Sequence, residues 1–113
     1  MARIRKTVKN ETIKLELGSH MEPSRISVVD CDAYTRVAAA ISGTWQGCLV
    51  TPYLMVQCSD CRHWGVISDR VYRFSAMDLT AEERKTIHGN DERIRLESIA
   101  RAVEFYIRLM KQC

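Results

Sequence analysis

At 113 residues the chain fits one domain, near the size at which a single core can stand alone. The 46% hydrophobic and 27% charged fractions are ordinary for a globular protein and exclude disordered and low-complexity classes. The net charge is only +3, no apolar run approaches the roughly 18 residues that span a bilayer, and charges stand where a signal peptide would be apolar. Five cysteines, an odd number, argue against a closed disulfide framework, so the expected setting is a reducing cytoplasm.

The charge is unevenly placed. Arg3, Arg5, Lys6, Lys9 and Lys14 against Glu11 and Glu16 put the whole excess in residues 1–17, leaving the remainder neutral and without an electrostatic footprint for nucleic acid. Gly18-Ser19-His20-Met21 resembles a cloning scar, which marks residues 1–17 as a fused or leader peptide and residues 18–21 as a linker. Within that peptide, Thr12-Ile13-Lys14-Leu15-Glu16-Leu17 alternates with period two. Ile13, Leu15 and Leu17 would share one face, suited to adding a β-strand to a sheet edge; an expression leader that happens to alternate is the other reading.

From residue 22 onward one domain is expected. Residues 25–29 read as a short strand, and Asp30 and Asp32 offer N-cap carboxylates to a helix over 33–42. Tyr34, Val37, Ala38 and Ile41 line its apolar face, with Gly43 placed for a left-handed cap. Cys31 falls at the helix start, where a thiolate is favoured if exposed; a small buried hydrophobe is the bland alternative. Residues 48–50 and 53–56 read as two strand pieces bent at Thr51-Pro52, and residues 64–67 and 71–74 as two more joined by a polar turn. Connections this short require an antiparallel meander.

The last third reads as helical. Thr80-Ala81-Glu82-Glu83 has the capping-box pattern, Gly89 ends that short helix, and Asn90 or Asp91 caps the next, which runs to about Lys111. In it Leu96, Ile99, Val103, Tyr106 and Met110 step by 3, 4, 3 and 4, a heptad-like seam, and Ala102, Phe105 and Leu109 form a second row that Ser98 extends. Glu97-Arg101 and Glu104-Arg108 have supportive i,i+4 spacing.

The chemistry centres on Cys58-Ser59-Asp60-Cys61 followed by His63. Two thiols three positions apart suit a tetrahedral cation at a hairpin turn, so Cys58, Cys61 and His63 are candidate zinc ligands, with Cys48, Cys31 or His88 as the fourth. The stretch resembles a zinc knuckle over about eight residues, and no second Cys-x-x-Cys completes a ribbon. Reduced cysteines at a tight turn need no metal, and a thioredoxin-like pair is disfavoured by the strand expected after Cys61, which withholds a helix dipole. His63 reads as a surface histidine and Trp64 as a core or interface aromatic. No phosphate loop or carboxylate cluster suited to acid–base work is present.

The expected fold is therefore α+β, a small antiparallel meander sheet covered by an N-terminal helix and a long C-terminal amphipathic helix. The expected function is a non-enzymatic, cytoplasmic protein- or peptide-binding regulatory module. It would form a homodimer through Leu96, Ile99, Val103, Phe105, Tyr106, Leu109 and Met110, with residues 1–17 occupying a binding edge. The alternatives are a zinc-knuckle regulator associated with nucleic acid and a Cys-x-x-Cys thiol oxidoreductase. Zinc is the only cofactor expected, and no membrane partner is.

Overall fold

A computed structural model describes residues 2–57 and 59–113, with five helices: α1 Ala2–Val8, α2 Asp32–Thr44, α3 Cys61–Trp64, α4 Ala81–Lys85 and α5 Leu96–Met110. About 40% of the chain is helical and the described residues contain no strand, which overturns the expected α+β meander. The physical reason differs from segment to segment. Residues 25–29 and 71–74 do lie side by side, for the Val28 amide donates to the Asp69 carbonyl at 2.9 Å. The ladder stops there because the Ser27 hydroxyl takes the next positions, donating to the Val71 carbonyl at 2.7 Å and accepting from its amide at 3.3 Å. Residues 64–67 instead close local turns, with the amides of Ile67 and Ser68 donating to the Trp64 carbonyl. Leu49, Tyr53, Leu54 and Val56 are exposed, with no neighbouring strand to pair them. Strand-forming side chains make a sheet only when a neighbouring strand meets them, and among the described residues none does.

Two helices make the core. Ala40 and Ile41 of α2 and Phe105 of α5 are buried together with Ala76, and Val37, Trp45, Val50, Ala102 and Leu109 pack around them. Phe105 is 2% exposed and sits among aromatic rings, 4.9 Å from Phe74, 5.9 Å from Trp45 and 5.1 Å from Tyr106 between centroids. Gly43 lies against α5, where a Cβ would stand 3.1 Å from Arg108 Nη1 at the end of a flexible side chain. Gly43 is therefore a packing position inside α2 and not its cap; the left-handed glycine is Gly47, at φ 78°. The N-cap is Cys31 in extended backbone, without the carboxylate cap expected of Asp30 or Asp32.

The inward face of α5 is the row Ser98, Ala102, Phe105 and Leu109, and the heptad-like seam faces away, with Leu96 83% exposed. Small Ser98 and Ala102 flank the one large ring and let α5 approach α2, whereas the seam offers bulk at every step. The helix starts at Leu96, behind an Arg95 N-cap, and not near Asn90 or Asp91. Glu104 and Arg108 pair as their spacing implied, at 2.6 Å, but Arg101 turns to Asp78 at 2.8 Å, away from Glu97.

The molecule is long and thin. Its radius of gyration is 19.0 Å and its extents 58 × 38 × 23 Å, against roughly 13 Å for a compact chain of about 100 residues.

Candidate functional site

The cysteine turn is built by local bonds. The Cys61 amide donates to Ser59 Oγ at 3.1 Å, and the amides of Arg62 and His63 donate to the carbonyls of Ser59 and Asp60, so that α3 begins at Cys61. A helical turn thus replaces the strand expected after Cys61. Cys61 is half-buried, His63 is exposed with Nε2 accepting from Arg62 Nε at 3.3 Å, and Trp64 is 59% exposed, neither core nor covered by another element. Cys58 lies outside the described residues. The other candidate ligands are dispersed: Cys31 at the start of α2, Cys48 exposed after it, His88 exposed beyond α4. Among the described residues no three His, Cys, Asp or Glu side chains gather to hold a metal ion.

A second cluster joins Cys31 to Tyr72. The Tyr72 hydroxyl lies 2.7 Å from the Val28 carbonyl and 3.1 Å from Cys31 Sγ, so its one proton serves the carbonyl beside a neutral thiol and is available to the sulfur of a thiolate. Its hydrogen bond is the main cause of a lowered Cys31 pKa, followed by the Tyr34 amide in the first turn of α2. Tyr72 is pushed up to about 12, by burial first and then by Cys31. Cys31 is thus not the inert buried hydrophobe.

The third cluster ties α4 to α5. The expected capping box is present, with Thr80 Oγ1 accepting from the Glu83 amide at 3.2 Å and Glu83 Oε2 accepting from the Thr80 amide at 2.7 Å. Glu83 is 8% exposed, and its other oxygen meets Arg95 Nε at 3.2 Å. The Thr80 amide, the Thr80 side chain and Arg95 hold its carboxyl below the usual carboxylate range. Asp78 completes the clasp: its carbonyl accepts from Ser98 Oγ at 2.7 Å and Arg95 Nη2 at 3.0 Å, and its carboxylate pairs with Arg101. Bracketed by Glu83 and Arg95 is a turn in which His88 has φ 64° and donates its amide to Glu92 Oε2 at 3.3 Å. A histidine in left-handed backbone is uncommon and marks a turn fixed by its surroundings. Asp78, Arg95 and Tyr72 carried no sequence signal, because their partners lie 12 to 44 positions away.

The N-terminal candidates are set apart from these clusters. Leu17 is 63% exposed, Ile13 is exposed and Leu15 half-buried, and residues 12–17 form no strand. Of the residues expected at a dimer interface, Phe105 and Leu109 belong to the chain's own core, while Leu96, Ile99, Val103, Tyr106 and Met110 are exposed. No described helix is long and apolar enough to cross a membrane.

No family model matches the chain, and no solved structure does. Curated relatives do. The N-fatty-acyl-amino acid synthase/hydrolase PM20D1 of Xenopus tropicalis is 32% identical over 109 residues, covering 96% of this chain and 21% of the relative. The probable carboxypeptidase S-like 2 of Dictyostelium discoideum is 23% identical over 109 residues, with the same two coverages of 96% and 21%. An uncharacterized carboxypeptidase of Schizosaccharomyces pombe is 31% identical over 91 residues, covering 76% of this chain and 15% of the relative. The chain thus spans about a fifth of the length of the first two. Relatives named as enzymes overturn the expectation of a non-enzymatic, protein-binding regulatory module.

Proposed function

We propose that this chain is a segment of a carboxypeptidase-like hydrolase that cleaves an amide whose nitrogen belongs to an amino acid bearing a free carboxylate. That is the chemistry shared by a carboxypeptidase, which releases a terminal amino acid, and by a hydrolase of N-acyl amino acids. The observation that carries the reading is the match over 96% of the chain to relatives with those names. Such an extent takes in most of residues 1–21, which supports reading the N-terminal segment as continuous with the rest instead of as a fused leader.

Hydrolases of this peptidase class typically use zinc. The described residues do not fit a zinc site by themselves, since their histidines, cysteines and carboxylates are dispersed. What the segment offers is two exposed imidazoles on locally fixed turns: His63 on α3 and His88 between the Glu83 and Arg95 clasp. Each would act only with groups supplied by sequence beyond these residues.

Exchanging the matched stretch of the Xenopus tropicalis protein for this chain tests the reading. A chimera with native-like circular dichroism that still releases amino acid from an N-fatty-acyl amino acid is the expected result. A chimera that folds but releases no amino acid contradicts it.

A further inference from the structure

The inward row of α5 is used by α2, yet an adjoining face of the same helix is also apolar. Leu96, Ile99, Val103, Tyr106, Ile107 and Met110 are all exposed, along a face roughly 21 Å long at the rise of an α-helix. A surface helix has one apolar stripe of about 100°, and a helix whose apolar residues extend round a second, adjoining face is an interior helix that lacks one of its neighbours.

We propose that this outer face of α5 is a docking surface for the remaining part of the same polypeptide, the larger portion that accompanies this segment in its relatives. The inference rests on the hydrolase reading and adds to it the surface through which the segment joins the rest.

Two observations choose this occupant over a second copy of the chain. Ile107 beside Tyr106 makes the face wider than the strict a and d seam that a single facing helix covers, so it matches the broad stripe of a helix set against a multi-element body. The relatives matched over 96% of this chain also extend far beyond it, because the match takes up only 21% of their length, so in those relatives covering sequence is at hand in the same molecule.

Hydroxyl-radical footprinting of the native protein, with sedimentation at the same concentration, reads the result at two oxidisable residues of the face, Tyr106 and Met110. In a monomeric native protein both are expected to be oxidised several-fold more slowly than in guanidinium-unfolded protein. Oxidation at the unfolded rate overturns the proposal. Protection that appears only as dimer forms overturns it too, by assigning the face to a second copy, and so does a native polypeptide with nothing beyond these 113 residues. Amino acid release is assayed separately on the same sample. A protected face without hydrolysis removes the hydrolase reading and leaves the docking surface, whereas hydrolysis with an open face does the reverse.

Discussion

Two side chains show how folded surroundings reset ordinary chemistry. Glu83 has its carboxyl held low by the Thr80 amide and side chain and by Arg95. A carboxyl whose pKa is lower in the folded state than in the unfolded one adds stability above the unfolded value, and that stability is lost as pH falls through the folded value. The melting temperature should therefore drop on acidification below the usual carboxylate range, and Glu83→Gln should flatten that part of the curve. Parallel curves for the two proteins would show that the clasp is not what titrates. Cys31 reports on Tyr72 in the same way. With the phenol 3.1 Å away and the first amides of α2 in support, its thiolate forms at lower pH than a free thiol. Tyr72→Phe should shift the pH profile of Cys31 alkylation upward, and an unmoved profile would remove the phenol from the account.

The helices α2, α4 and α5 were legible, whereas α1 and α3 were missed and the expected strands did not form, for a reason that lies in what each needs. The face of α2, the Thr80 capping box and the Glu104-Arg108 pair depend on residues three or four apart, so the pattern carries the structure with it. Residues 53–56 and 71–74 have strand-like side chains, but pairing is decided by a neighbour that the local pattern cannot name. The two faces of α5 show a finer limit. Both rows repeat at helical spacing, and it is the packing of Ala40 and Ile41 of α2 with Phe105 and Ala102, between elements far apart in sequence, that puts the row of Ser98, Ala102 and Phe105 inside. Phe105 is consequently a core residue and a poor probe of oligomerisation. In this 113-residue chain Phe105→Ala should cost about 3–5 kcal/mol in denaturant unfolding, while exposed Val103→Ala should stay within about 0.5 kcal/mol. Equal losses would mean that the outer face is already covered within the chain.

Among the described residues a buried hydrophobic core of four, Ala40, Ile41, Ala76 and Phe105, is set against a radius of gyration of 19.0 Å. The site is as incomplete as the core. His63 and His88 were legible as candidate ligands by residue type, but the sequence placed them in one zinc knuckle or its completion, and the structure leaves them on separate turns. The clasp of Asp78, Glu83 and Arg95 that frames His88 was half visible, through its capping box alone. A small core, dispersed donors and a second apolar face on the longest helix fit the proposed reading of the chain as a segment of a hydrolase. The most direct test is to immunopurify the native protein carrying this sequence and follow amino acid release from an N-fatty-acyl amino acid and from an N-blocked dipeptide by mass spectrometry. Release from at least one, lost on washing with a metal chelator and restored by zinc, is the result predicted here. Intact substrates after prolonged incubation with well-folded, zinc-supplied protein would contradict it.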